Sequence, residues 1–219
     1  MDNEHVMSSK VRSTPLWPSA EEREQERRMK REALLLAAVE MFNERGFPAT
    51  SLDDVAASLN VTKPVIYRYL GSKDQVLLEC VKRGLEQLQD AVASARLIDG
   101  RGLDRLKLFL HRYAEISTHG FGMCVHRTGD HELSVDSRRQ FRALKREIDH
   151  EMRCLMEEGV ADGSIYTPDV RMSAFALAGA LNWIARWYAP DGPSTKTEVA
   201  TKIVETLVSG LIPRSSGSA

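Results

Sequence analysis

The sequence predicts an all-α fold in which a three-helix head precedes a larger helical body. Apolar residues recur at three- and four-residue spacing along most of the 219 residues, and no segment alternates apolar and polar residues as a half-buried strand does. Helix-capping residues and Gly or Pro breaks separate the apolar stretches. A chain of this length can bury a larger core than a three-helix head needs, so two domains are expected.

The first predicted helix covers residues 27 to 45, where Leu35, Ala38 and Phe42 lie on one face and Gly46 ends the helix. Residues 1 to 26 contain Pro15, Pro18 and several serines, so we expect a flexible N-terminal arm there. Two roles remain open for this arm, a solvated tail or a segment that enters the minor groove of DNA.

The second predicted helix begins at Leu52. The Ser51 hydroxyl can cap it, and Asp54 can reach back to complete a capping box. We expect its apolar residues to form one buried stripe, and Asn60 to tolerate the left-handed backbone that ends the helix. The stripe consists of Leu52, Val55, Ala56 and Leu59.

The third predicted helix follows a short turn, with Thr62 as its cap and Pro64 in its first turn. Two short helices joined in this way form a helix-turn-helix, whose second helix reads the major groove of DNA. Overall charge gives no hint of nucleic acid, because 30 Lys and Arg stand against 31 Asp and Glu. The local charge pattern does favour a nucleic-acid partner, since the charged residues between 60 and 73 are all cationic. We therefore assign residues 27–73 to a DNA-binding domain.

Residues 74–212 are predicted to form the helical body, which would bind an effector and dimerise, and residues 213–219 a flexible tail. Helices are expected over residues 72–97 and 103–117, from Ser134 to before Gly159 or Gly163, from Pro168 to Ala189, and from Ser194 or Thr195 onward. Residues 118–128 are glycine-rich, so we expect an irregular segment with at most one helical turn.

The helix expected before Pro190 is apolar on nearly every side, as Phe175, Leu181, Trp183 and Trp187 illustrate. Such a helix must be covered on more than one side. We expect its second neighbour to be the same helix of another subunit, so that with the last helix a homodimer forms through four helices.

The head closely resembles the N-terminal domain of the TetR family of bacterial transcriptional regulators. The matching residues are Ala37–Ala38, Phe42, Gly46–Phe47, Thr50–Ser51–Leu52, Val55–Ala56, Val61–Thr62–Lys63, Ile66–Tyr67, Ser72–Lys73 and Leu77–Leu78. Leu70 departs from the family, which usually has Phe at this core position. The resemblance implies a DNA-binding regulator, with base or phosphate contacts from Thr62, Lys63, Pro64, Tyr67 and Arg68 and backbone contacts from Thr50, Tyr69 and Lys73.

A two-fold dimer that reads two half-sites implies a palindromic double-stranded operator. Residues 181–192 resemble the C-terminal domains of TetR-like repressors that respond to acyl-CoA thioesters, so a small-molecule effector of this class is expected to release the repressor. The candidate effector-binding residues are Phe109, Tyr113, Phe121, Phe141, Arg142, Phe175, Asn182 and Trp183. The alternative for most of them is a place in the core.

Other functional classes fit less well. A transcriptional activator or a non-specific architectural DNA-binding protein is the alternative function. No nucleophile–base spacing, phosphate-binding glycine loop or metal-ligand pattern supports an enzyme, a cofactor or a metal site, and the polar run from His126 to His131 suits effector binding better than catalysis. No membrane segment is expected, and the N-terminus is too polar for a signal peptide, which predicts a cytoplasmic protein.

Overall fold

The computed structural model describes residue 17 and residues 19–213, and these residues form nine α-helices with one short 3-10 turn and no strand. The all-α prediction is therefore confirmed. The helices are α1 (Ala20–Arg45), α2 (Leu52–Ser58), α3 (Lys63–Leu70), α4 (Lys73–Arg96), α5 (Gly102–Ile116), α6 (Gly120–Arg127), α7 (Val135–Ala161), α8 (Val170–Trp187) and α9 (Lys196–Ser209), and the 3-10 turn is Asp130–Glu132.

The head consists of α1, α2 and α3, which pack against one another. Ser51 and Asp54 form the predicted capping box, with the Asp54 N–H donating to Ser51 Oγ at 3.1 Å and the Ser51 N–H donating to Asp54 Oδ2 at 2.9 Å. Asn60 takes the predicted left-handed conformation with φ of 53°. The predicted stripe is wrong at Leu59, which is exposed because α2 ends one residue earlier.

Helix α1 begins seven residues before the predicted start, so the predicted flexible arm is wrong for residues 20–26. Ser19 caps the helix in a box with Glu22, and ion pairs one turn apart join Glu24 to Arg28 and Glu26 to Lys30. These local interactions extend a helix whose first turns bury none of the described side chains. The predicted arm at residues 1–16 and the tail at 214–219 lie outside the described residues.

The expected irregular segment at residues 118–128 is also wrong, because α6 occupies most of it. Its two glycines have different roles: Gly120 begins the helix with a left-handed φ of 51°, whereas Gly122 is required by close packing, because a Cβ there would lie 2.3 Å from the carbonyl oxygen of Ile116. Gly84 of α4 also allows a close approach, since a Cβ there would lie 2.4 Å from the Phe121 carbonyl oxygen of α6. The backbones of α4 and α6 are therefore in direct contact.

The body is built around α4, which packs on α5, α6 and α7, while α8 lies against α7 and α6, and α9 lies against α5. Its core includes large, fully buried side chains, among them Leu85, Leu88, Phe109, Phe141 and Met152. In the described part of the chain, every helix is too short or too polar to cross a bilayer.

Candidate nucleic-acid interface and effector cavity

Helix α3 presents two distinct faces. Ile66 and Leu70 are buried against α1 and α2, and they anchor the helix to the head. The opposite face is exposed and carries five of the predicted DNA-contact residues, with Tyr67 half exposed. These are Thr62, Lys63, Pro64, Tyr67 and Arg68. The structure thus brings together the residues of a reading face for a groove of DNA.

The start of α3 is free of the cap predicted for it. Thr62 occupies the N-cap position, but its side chain makes no capping hydrogen bond. Lys63, next in the chain, forms an ion pair with Asp53 of α2, and this carboxylate raises the pKa of Lys63. Lys63 is cationic at neutral pH, and its exposed ion pair adds little to the apolar packing between α2 and α3.

Thr50, predicted to contact the DNA backbone, is buried with 1% of its surface exposed. Its hydroxyl lies 3.0 Å from the Gly46 carbonyl oxygen and 3.2 Å from that of Met41, and its backbone N–H donates to Phe47. Both donors of Thr50 are thus used inside the head. The structure gives this residue the role of closing the turn between α1 and α2.

Tyr69 and Lys73 lie beside the exposed face rather than on it. Tyr69 is half-buried, with the Arg68 guanidinium 5.1 Å from its ring centroid. Lys73 is half-buried, and its Nζ lies 4.1 Å from the centroid of the Phe47 ring; this burial lowers the pKa of Lys73. The structure therefore places these two predicted backbone-contact residues outside the exposed face of α3.

A basic groove of about 400 Å³ runs between the first turns of α1 and the end of α3. It is lined by Arg23, Glu26, Arg27, Lys30, Arg68 and Tyr69. Glu26 is paired with Lys30 at 2.6 Å, so the groove has a net positive charge. The groove was not predicted, because the first helix was expected to begin at residue 27; the serine cap at Ser19 and the Glu–Arg spacing are the sequence signals for the earlier start.

Several side chains join the head to the body, and Arg127 contacts both α8 and α1. Arg127, the last residue of α6, donates from Nε to the Ala185 carbonyl of α8 at 2.6 Å, and its Nη1 contacts the Asn43 carbonyl at the end of α1. Asn43 in turn donates to the Gly120 carbonyl at 2.8 Å. Movement of α6 relative to α8 would therefore act directly on α1.

The body contains a cavity of about 220 Å³ enclosed by side chains from α4 to α8. Its apolar lining consists of Leu85, Leu88, Val125, Ile148, Met152 and Ala178, and its polar lining of Tyr113, His126, Lys145, Asp149 and Asn182. Tyr113 donates to Asn182 Oδ1 at 2.8 Å. An apolar cavity with a few convergent polar groups is the usual form of a small-molecule site.

Two of the eight predicted effector-binding residues, Tyr113 and Asn182, line this cavity. The other six lie elsewhere. Phe109 and Phe141 are fully buried in the core, Phe121 is buried under the Arg83 guanidinium, and Arg142 binds Asp130 at 2.6 Å on the surface. Phe175 and Trp183 are exposed on α8 and do not line the cavity.

The outward face of α8 is largely apolar, with one exposed arginine near each end, Arg171 over the Phe175 ring and Arg186 beside Trp187. Its exposed large apolar residues and Gly179 follow one stripe of three- and four-residue spacing, and Trp183 alone has 64% of its surface exposed. They are Met172, Phe175, Gly179, Trp183 and Trp187. A Cβ on Gly179 would meet nothing within 4 Å in this chain, and with no side chain there the backbone of α8 is open to a neighbouring surface.

Comparison with known proteins agrees with this architecture. Residues 34–80 match the family model described as bacterial regulatory proteins, tetR family, and residues 99–211, just over half of the chain, match the tetracyclin repressor-like C-terminal domain. The HTH-type transcriptional repressor KstR2 of Rhodococcus jostii is 30% identical over 192 residues, covering 83% of this chain and 91% of the relative.

Solved structures show the same fold. The TetR-family regulator PfmR of Thermus thermophilus is 30% identical with a TM-score of 0.73, covering 83% of this chain and 99% of PfmR. AibR, solved in complex with isovaleryl coenzyme A and operator DNA, is 24% identical with a TM-score of 0.71, covering 81% and 97% of the two chains. The chain with its exposed α3 face and helical body therefore belongs to the TetR family of DNA-binding transcriptional regulators.

Proposed function

We propose that this protein is a homodimeric repressor that binds a palindromic operator and is released from it by an acyl-CoA effector. The observation that carries the proposal is the exposed face of α3, on which Lys63, Tyr67 and Arg68 project away from the buried anchor of the helix. Lys63 and Arg68 can donate to guanine O6 and N7, and the Tyr67 ring can contact a thymine methyl group.

The outward face of α8 supports the homodimer. Three large aromatic side chains on this face, Phe175, Trp183 and Trp187, are exposed in the single chain, where contact with water is unfavourable. Gly179 lies between them and allows a second helix to approach closely. A second copy of the same face is self-complementary about a two-fold axis, which would also place two heads on two half-sites.

A repressor that is released by an effector requires that effector binding in the body changes the affinity of the head for the operator. The α4 helix runs from the head into the cavity lining, and Arg127 joins α6 and α8 to the end of α1. An effector that binds better to a body conformation with separated heads lowers operator affinity by its differential affinity for the two conformations.

Two relatives support the repressor role and the effector class. KstR2 is named a transcriptional repressor, and AibR was crystallised with a coenzyme A thioester and operator DNA. In this chain the exposed cations Arg142 and Lys145 of α7 lie near the cavity and could meet phosphates of coenzyme A, although both now bind Asp130.

The DNA-binding part is tested by gel shift on a palindromic duplex that the wild-type protein selects from a random pool. We expect Lys63→Ala and Tyr67→Ala each to abolish the shift while the dimer remains intact in light scattering. Tyr166→Ala, an exposed tyrosine in the body, is the matched control and should bind as wild type. Undiminished binding by both α3 variants would refute the assignment of the reading face.

The effector part is tested by titration calorimetry with acyl-CoAs and the corresponding free acids. We expect heat and operator release with a thioester and neither with the acids. Absence of both with every thioester would remove this effector class. Binding to any duplex without preference for a palindrome, with strong salt dependence, would instead support the architectural alternative.

A further inference from the structure

The body cavity is too small for a whole coenzyme. Its 220 Å³ correspond to roughly seven waters at about 30 Å³ each, below the range of about 300–1,000 Å³ typical of pockets for drug-sized ligands. The cavity therefore fits a small group, such as one end of a larger effector.

His126 supplies an unpaired polar group to this cavity. Its imidazole is buried, and Nε2 has no hydrogen-bond partner among the described residues. Burial, with a smaller contribution from nearby Lys145, lowers the pKa of His126 to about 3, so the ring is neutral at physiological pH. A buried nitrogen without a partner destabilises the fold, and native proteins rarely keep one unless it has another use.

The neighbouring side chains hold the imidazole in place. The Tyr113 ring stacks on it with centroids 5.5 Å apart, and the Tyr113 hydroxyl is tied to Asn182 at 2.8 Å. Burial raises the pKa of Tyr113, so that hydroxyl stays protonated. The hydrogen-bonding nitrogen of His126 is thus presented in a fixed orientation before any ligand arrives, which reduces the entropic cost of binding.

The two charged residues of the lining are already ion-paired. Lys145 Nζ lies 3.5 Å from Asp130, and Asp149 lies 3.3 Å from Arg153. The other polar groups of the lining, from Tyr113, His126 and Asn182, are neutral. A carboxylate that entered the cavity would lose its hydration, would compete with Asp130 for Lys145, and would lie near the carboxylate of Asp149.

We propose that His126 is an effector-recognition residue that hydrogen-bonds an uncharged carbonyl or hydroxyl group carried on a small apolar body. This assignment rests on the proposed function, because it takes the cavity to be the regulatory site. The assignment has two further consequences. A carboxylate is excluded from the cavity, and the part of a thioester effector that His126 recognises is the acyl group.

The test uses four small probes of similar shape: cyclohexanone, cyclohexanol, methylcyclohexane and cyclohexanecarboxylate. Binding to the full-length protein is followed in NMR titrations by the backbone amide shifts of the cavity-lining residues, which every variant retains, and the nitrogen chemical shifts of His126 are recorded in the wild type. We expect the ketone and the alcohol to shift Nε2 and to bind about tenfold more tightly than the hydrocarbon or the carboxylate, as one newly made buried hydrogen bond would give. Equal binding of all four probes, or of none, overturns the proposal.

Variants separate recognition from folding. His126→Phe removes the unpaired nitrogen, so the melting temperature should be unchanged or raised while the preference for the ketone is lost. His126→Gln keeps a hydrogen-bonding group and should retain part of the preference, which also covers the case in which the Phe variant misfolds. The matched control is His150→Phe on the exposed face of α7, which should retain the full preference. A preserved preference in a folded His126→Phe protein contradicts the assignment.

Failure of this inference is distinguishable from failure of the proposed function. Operator binding is read by gel shift without any probe, whereas recognition in the cavity is read by NMR without DNA. If the protein binds its operator but shows no preference among the probes, the His126 assignment is rejected and the proposed DNA-binding function stands.

Discussion

Helices α3 and α8 both expose aromatic side chains, but in opposite chemical settings. Tyr67 on α3 is flanked by Lys63 and Arg68, and the basic groove beside it adds further cations. Trp183 on α8 lies between Gly179 and Trp187, with Arg186 as the nearest exposed charge. The first setting suits a polyanion, whereas the second suits another apolar surface.

The difference teaches that exposure alone does not identify a partner. Both faces leave aromatic rings in water, and the charge around the ring distinguishes a face for nucleic acid from a face for a second subunit. The two faces should therefore respond differently to the same kind of substitution: changes on α8 should alter assembly, and changes around α3 should alter DNA affinity without altering assembly.

The largest effect is expected from Trp183→Glu. A charge in the centre of an apolar interface should separate the subunits, and operator affinity should fall by about 10²–10⁴-fold because two heads no longer bind together. Light scattering and gel shift measure the two effects. Leu97→Glu, at an exposed leucine after α4, is the control that should stay dimeric. A Trp183→Glu protein that remains a dimer with full affinity would show that α8 is not the interface.

A smaller effect is expected from Arg27→Ala in the basic groove. Loss of one phosphate contact should weaken operator and random DNA about equally and reduce the slope of log affinity against log salt by about 1. Fluorescence anisotropy at several salt concentrations measures this. Arg139→Ala, an exposed cation at the start of α7, should leave the slope unchanged. A loss confined to the operator would mean that Arg27 reads sequence.

The smallest effect is expected from Asp53→Asn, and it has the opposite sign. Removal of the carboxylate frees Lys63 from its exposed ion pair, so affinity for DNA should rise by up to about fivefold, the equivalent of the 0–1 kcal/mol typical of such pairs. Anisotropy with the same duplex measures the change, with Asp99→Asn in the α4–α5 connection as the control. Weaker binding would indicate that the pair positions Lys63 for DNA.

Local signals in the sequence were sufficient where a few adjacent residues decide the structure. The capping box of Ser51 and Asp54, the left-handed Asn60 and the division of α3 into a buried and an exposed face all depend on residues within one or two turns. Both predicted ends of α4, α5 and α8, and the predicted starts of α7 and α9, lie within about two residues of the observed ones, because caps and Gly or Pro breaks act over the same short range.

Predictions failed where contacts distant in sequence decide the outcome. Gly120 and Gly122 indicated an irregular segment, yet packing of α6 on α4 makes it a helix. Phe109 and Phe141 were candidates for the effector site, but packing between helices of the body buries them in the core, outside the cavity lining.

The sequence by itself determined the helical class, the helix-turn-helix and which side of α3 faces outward, because periodicity and capping are properties of neighbouring residues. Only the tertiary structure decided which aromatic residues are core, cavity or surface, and that His126 is left without a partner beside Tyr113. Those outcomes depend on how five helices meet, and side chains that enclose one cavity come from positions nearly a hundred residues apart.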